Sequence, residues 1–465
     1  MIPKMKLSSK WITLSFLLLA TFMVIMDIFI INVAIPSIQN GLQASSGSIQ
    51  LMIALYLIAY ASFLITGSRA GDYYGRKKIY LWALVFFTVN SCCCGLAQTA
   101  FQLNAARFFQ GMSAAFLTPQ VLSYIQFLFP LPGERTKAFG IYGIVIGLAT
   151  ISGQLLGGIL SGINGWIAGW RLIFFINLPI GFIGFWGAQK YLKATERHDE
   201  RFDLSGIALL TSGLIALIAP LALGRELHWP EWTFISIGIA IIILLLFGYF
   251  QYQKFRKQQS PLIDPTLFTY SSFAVGIFAV SFFFMMLDSY FMMLSVYLQE
   301  GRGLKSISSG IIVVFQGLGF MVSSLLSIRF APKYGKKVLQ FGALLIAISI
   351  GLQAAFFKYQ DVPLAFICLL LGLHGLGVGM VLPSLLNVAL RNVPKQLAGV
   401  ASGVYVTFEQ TAAALGITLI GGTFFTFQDD FYTAFRIGML LDIGCLIVFS
   451  LLIYKLPAQT KKSIT

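Results

Sequence analysis

Residues 11–36 read WITLSFLLLATFMVIMDIFIINVAIP, a run whose only charge is Asp27. About 20 apolar residues cross the hydrocarbon core of a bilayer as a helix, so this stretch predicts a transmembrane span. It is too long for the apolar region of a signal peptide and carries no small-residue cleavage pattern. The same reading extends outward along the chain. Of 465 residues, 57% are hydrophobic and 11% charged, against about 25% charged in a soluble domain. A soluble surface cannot be built from so few charges, whereas this apolar supply fills about thirteen spans. Collagen-like, disordered and disulfide-scaffold classes are excluded. Cys92, Cys93, Cys94, Cys368 and Cys445 all fall in apolar runs and read as small packing residues.

Hydropathy predicts fourteen helices, at roughly 11–36, 49–67, 79–98, 102–130, 138–162, 171–192, 204–223, 232–253, 271–299, 306–329, 338–357, 364–390, 398–424 and 433–455. The net charge of +15 invites a nucleic-acid reading, and its distribution excludes it. Of the 32 Lys and Arg residues, 25 fall in the termini and one alternating set of loops. That bias is the positive-inside rule, so both termini are expected in the cytoplasm and the number of spans is even. The expected location is the cell (cytoplasmic) membrane, with the lipid bilayer as partner. The charged stretches 193–203 and 254–269 are cytoplasmic linkers.

An internal repeat is visible. Asp72-Tyr73-Tyr74-Gly75-Arg76-Lys77-Lys78 follows helix 2, and Pro332-Lys333-Tyr334-Gly335-Lys336-Lys337 follows helix 10. Parallel six-span repeats are a transporter signature. The expected organisation is a six-helix bundle over 1–192, an inserted pair of spans over 193–269, and a second six-helix bundle over 270–465.

Several strings converge on a family. Helix 1 carries Asp27-Ile28-Phe29-Ile30-Ile31-Asn32-Val33-Ala34-Ile35-Pro36, and helix 4 carries Arg107-Phe108-Phe109-Gln110-Gly111. Helix 6 opens with Trp170-Arg171-Leu172-Ile173-Phe174-Phe175-Ile176-Asn177-Leu178-Pro179-Ile180-Gly181, and helix 9 ends in Tyr297-Leu298-Gln299. With the stretch around Gly75, these make the whole chain resemble the major facilitator superfamily, and within it the 14-span drug:proton antiporters. The resemblance implies an all-α membrane fold and alternating access by two rocking bundles. It also implies export of amphipathic, cationic drugs or toxic compounds, driven by the proton gradient with no cofactor or metal. A monomer is expected. Asp72, Gly75, Arg76 and Lys77 would form a conformational latch, although Ser68 and Pro332 depart from that motif. In helix 5, Gly153, Gln154, Gly157 and Gly158 occupy the antiporter motif, with Gln154 where the motif has proline.

Ionisable residues inside spans are expensive and face a cavity or a partner. The candidates are Asp27, Arg107, Asp288, His374, Glu409 and Asp442. Asp27 and Arg107 lie at similar depth and suit a proton site, the other reading being a static ion pair that fixes helix packing. Gln110 and Gly111 share the Arg107 face. Glu409 shares its face with Ser402, Tyr405, Ala413 and Gly416. Asp288 shares its own with Ser281, Phe284, Met292 and Ser295. Acids amid Met and aromatic groups suit lipophilic cations, so Glu409, Asp288, Phe284, Met292 and Tyr405 are the substrate-site candidates. Helix contact explains His374 more simply, and Asp442 has no polar face beyond Gly438. Export of a single endogenous metabolite or lipid, and a transport-inactive membrane sensor, are the competing readings. A haem enzyme is disfavoured because no span offers a histidine pair. The Walker phosphate-binding string is absent, which excludes an ATPase of that type.

Overall fold

Pro36 lies inside the first helix rather than at its end. The computed structural model describes residues 7–456, apart from 164, 195–202, 225–226, 260, 360, 391, 395–396 and 428. His198 and the basic residues Lys4, Lys6, Arg197, Arg201, Arg225, Arg391, Lys395, Lys461 and Lys462 lie outside the described residues. The helices are α1 (Leu7–Leu42), α2 (Ser46–Tyr74), α3 (Arg76–Leu96), α4 (Ala100–Leu128) and α5 (Pro132–Ser161). Next come α6 in two segments (Gly169–Phe175 and Asn177–Tyr191), α7 (Leu204–Leu223) and α8 (Glu231–Arg256). The remainder are α9 (Ser271–Val296), α10 (Ser306–Tyr334), α11 (Lys336–Phe356), α12 (Leu364–Ala389), α13 (Ala398–Thr426) and α14 (Phe431–Lys455).

Among the described residues, 13 helices are long and apolar enough to cross a membrane. The exception is α4, which is long enough but lines its buried side with Asn104, Arg107, Gln110, Ser113 and Gln120. Its mean hydropathy falls because it carries the polar interior of its neighbours.

Three local features differ from the hydropathy reading. The stretch Asp72–Lys78, expected as a loop, is almost wholly helical. The link between α2 and α3 is Gly75 alone, at φ 95. Gly335, at φ 54, joins α10 to α11 in the same way. Glycine reaches positive φ without a Cβ clash, so both helices keep their turns up to the junction. Helix 6 is interrupted at Ile176. Pro179 has no N–H to offer the Phe175 carbonyl four residues back. Beyond α9, Tyr297–Gly301 forms a π turn.

The chain divides into two compact units, Met1–Leu262 with Leu304–Gly310, and Ile263–Gly303 with Ile311–Thr465. Within the first, α1 packs on α5 and α6, and α3 packs on α4 and α6. Within the second, α9 packs on α13 and α14, and α11 packs on α12 and α14. The pairings match when eight is added to each helix number, so the sequence repeat is also a repeat of packing. The α7–α8 pair belongs to the first unit, where α7 packs on α2.

Asp203 pins that pair. It caps α7 and is 3% exposed. Its carboxylate accepts from Gly206 N at 2.7 Å, Gln251 Nε2 at 2.8 Å and Leu262 N at 3.2 Å, and it pairs with Lys254. The start of α7, the end of α8 and the following segment therefore meet on one carboxylate. Burial alone raises its pKa, but hydrogen bonds from Lys254, Gln251 and Gly206 and the Lys254 charge outweigh that and leave it lowered. A lowered folded pKa contributes stability that is present above the unfolded value, about 3.9, and is lost as pH falls through the folded value. Asp203→Ala is expected to cost about 3 kcal/mol at neutral pH by removing the cap of α7 and the buried acceptor shared by Gly206, Gln251 and Leu262. Thermal unfolding of purified protein should show the deficit shrinking towards about pH 3.

Candidate functional site

Asp27 leaves α1 in the interior of the first unit and is wholly buried. Its Oδ2 accepts from Arg107 Nη1 at 2.5 Å. Its Oδ1 accepts from Gln110 Nε2 at 2.9 Å and from Asn177 Nδ2 at 3.0 Å. Arg107 and Gln110 stand three residues apart on one face of α4, and Arg107 Nη1 also donates to Gln110 Oε1 at 2.7 Å. The guanidinium carbon lies 4.1 Å from the centre of the Tyr56 ring on α2. Gly111 allows this approach, since a Cβ there would collide with the Tyr56 carbonyl.

Asn177 opens the second segment of α6, just past the Ile176 interruption. It also donates to Ser91 Oγ of α3 at 2.9 Å, and Ser91 in turn donates to Phe174 O at 2.8 Å. Arg171 fastens the same region by donating to Gly95 O at 2.7 Å and Ala97 O at 2.5 Å, the open carbonyls at the end of α3. Not every buried group in the cluster is satisfied. Arg107 Nε, Asn177 Oδ1 and the Tyr56 hydroxyl have no hydrogen-bond partner. Such a network has polar atoms to spare for a second arrangement.

The expected pairing of Asp27 with Arg107 is therefore present, with Gln110 beside it. Tyr56 and Ser91 were not read from the sequence as members. Tyr56 stands in an apolar run and Ser91 beside Thr88 and Asn90, and only the helix pairing turns them towards the Asp27 cluster.

In the second unit, Asp288 of α9 and Glu409 of α13 are half-buried and within electrostatic reach of each other. Glu409 Oε1 accepts from Gln410 Nε2 at 2.9 Å. Tyr405, one turn before Glu409, is buried and close enough to feel its charge. Phe284 is half-buried, edge-on to Phe283 at 5.9 Å. Met292 is wholly buried with its terminal methyl against Gly421, so it serves packing between α9 and α13. His374 has a built environment: Nδ1 lies 2.8 Å from Gln316 Nε2, and the ring stacks on Tyr290 at 4.0 Å.

Around Gly75, Arg76 pairs with Asp72 at 2.8 Å across the junction, and Lys77 donates to Gln189 O of α6 at 2.8 Å. In α5, Gly153 and Gly157 lie against the backbone of α1 at Met26 and Ile30. Gly158 meets the backbone of Ser306 and Gly310, in the segment Leu304–Gly310 of the same unit. Gln154 is buried with Oε1 unpartnered.

Comparison with known proteins agrees with this architecture. The family model of the Major Facilitator Superfamily matches residues 17–206 and 197–417. The chain is 34% identical over 428 residues to a protein of Streptomyces coelicolor named "Probable actinorhodin transporter", covering 90% of this chain and 72% of that one. It is 31% identical over 424 residues to the puromycin resistance protein of Streptomyces alboniger, covering 88% and 81%. To the tetracenomycin C resistance and export protein of Streptomyces glaucescens it is 30% identical over 418 residues, covering 88% and 75%. Among solved structures, an auto-inhibited POT family peptide transporter superposes with a TM-score of 0.69 at 13% identity, covering 97% of this chain and 99% of that one. That likeness concerns the fold alone. The chain belongs to the major facilitator superfamily: it is an all-helical, multi-pass membrane transporter of small molecules.

Proposed function

We propose that this transporter exports amphipathic, cationic small molecules in exchange for protons, with both termini in the cytoplasm. The observation that carries the reading is the Asp27 carboxylate, wholly buried and shared among Arg107, Gln110 and Asn177. A proton arriving on Asp27 removes the charge that Arg107 answers. The guanidinium must then find another acceptor, and its Nε already lacks one. Leaving one member of a buried pair uncompensated costs about 3–5 kcal/mol. Reversing a two-state population from 1:99 to 99:1 takes about 5.5 kcal/mol. A single proton at this site is thus of the right scale to drive α1, α4 and α6 between two arrangements.

Glu409 and Asp288 are the proposed countercharges for the substrate, with Tyr405 and Phe284 as aromatic surfaces for a cation. The relatives named for resistance and export support the outward direction. The proton gradient is the energy source and no cofactor is required. Asp72, Gly75, Arg76 and Lys77 are assigned to the conformational latch, and Gly153, Gln154, Gly157 and Gly158 to the closure of α5 on its neighbours. A second reading, one dedicated compound rather than a broad range, is favoured by relatives whose names each carry a single compound.

Proteoliposomes under an imposed pH gradient, carrying a fluorescent lipophilic cation, test the proposal directly. Gradient-dependent movement is expected, and it should vanish in Asp27→Asn. Folded wild-type protein that moves no cation under the gradient would sink broad cation export. Gradient-driven movement that persists in Asp27→Asn would remove Asp27 from the coupling. Separately, Arg107→Met is expected to lower stability by about 3–5 kcal/mol because it strands Asp27. Adding Asp27→Asn should recover part of that loss in thermal unfolding, since the double variant has no uncompensated charge.

A further inference from the structure

The second unit buries another acid, and no basic residue pairs with it among the described residues. Asp442 of α14 is 0% exposed, and its Oδ2 has no hydrogen-bond partner. Its Oδ1 lies 2.9 Å from Ser289 Oγ on α9. A serine hydroxyl has one proton to give. The same Oγ sits 2.6 Å from the Met285 carbonyl oxygen, one turn back on α9, and 3.0 Å from that of Met286. With the carboxyl neutral, the shortest contact takes the proton, the usual back-bond of a helical serine. The contact between Ser289 and Asp442 then contains no hydrogen unless the carboxyl supplies it. An ionised Asp442 could draw only the Ser289 hydroxyl, away from its carbonyl back-bonds, and would hold its charge buried with one oxygen unmet and no cation among the described residues, at a cost of several kcal/mol. A neutral carboxylic acid donates to Ser289 Oγ and leaves only a carbonyl oxygen unmet.

The groups around it do not change this account. From α9, Tyr290 lies within electrostatic reach of Asp442, and from α14 itself so does Cys445. The Tyr290 hydroxyl is engaged with Gln353 Oε1 of α11 at 3.0 Å, and its ring stacks on His374 of α12. On α13, Glu409 faces Asp288 instead. The two units make a telling comparison. In the first, α1 brings the acid (Asp27) and α6 the neutral partner (Asn177). In the second, the matching pair α9 and α14 meets with the roles exchanged, Ser289 from α9 and the acid from α14.

We propose that Asp442 is a second proton-carrying site of this transporter, separate from Asp27 and loaded in the conformation described. Its place in the transport cycle rests on the proton-coupled reading above; its protonation does not. Infrared difference spectroscopy on the reconstituted full-length protein tests it without any substrate. At neutral pH the wild type is expected to show a protonated-carboxyl carbonyl band equivalent to one acid, bleached reversibly at alkaline pH. Asp442→Asn should lack that band, Asp27→Asn should keep it, and Ser289→Ala should shift both its frequency and the pH at which it bleaches. If Asp442→Asn retains every wild-type band, the acid is ionised and the proposal fails. If the band survives until the protein unfolds, Asp442 is a fixed neutral acid and the proposal fails equally. Absence of gradient-driven flux with a normal band would overturn the coupling reading while leaving the proton on Asp442.

Discussion

A carboxylate carried into the middle of a membrane helix must have its charge and lone pairs answered by protein, because lipid supplies neither. Asp27 imposes that demand on the whole first unit. Its partners come from α4 and α6, and their own partners come from α2 and α3. The break in α6 sets Asn177 at the start of a new segment, and the glycine at position 111 lets α4 close on α2. Each local irregularity serves the same acid. The helix least apolar by hydropathy, α4, is the one that supplies its countercharge.

The second unit answers the same physical problem in another way. Asp288 and Glu409 stay half-buried, and Asp442 is sealed from solvent with a serine in place of a cation. Helix pairing is common to the two units, while the polar chemistry inserted between the helices is not. Divergence of this kind is what a repeat allows. Backbone packing repeats because close glycine contacts and apolar stripes repeat, and single side chains are then free to differ between the two halves.

Much of this was legible in the residues before any coordinates. Charges in apolar runs are conspicuous, so Asp27 and Arg107 announced themselves, as did fourteen helices and an internal repeat. Tyr56 and Ser91 stayed hidden because a hydroxyl is common in membrane helices, and its meaning depends on which helix lies opposite. Asp442 looked isolated along its own helix because its partner, Ser289, lies on α9. Helix ends were misjudged where polar turns continue past the apolar window, as at Asp72, or where proline sits within a helix, as at Pro36. Hydropathy reports what lipid tolerates. Where backbone hydrogen bonding stops is a different question.

The single-residue links at Gly75 and Gly335 carry a mechanical consequence. A flexible loop absorbs displacement, but one glycine between two long helices has almost no slack. Any axial slide or tilt of α2 is handed to α3 at once, and α10 and α11 are geared together in the same manner. In the proposed cycle each pair would move as one piece, with its pivot at the glycine. Under the proposed latch, the Asp72–Arg76 bridge across that pivot would act as a friction point, holding the pair at one angle until its charges are drawn apart.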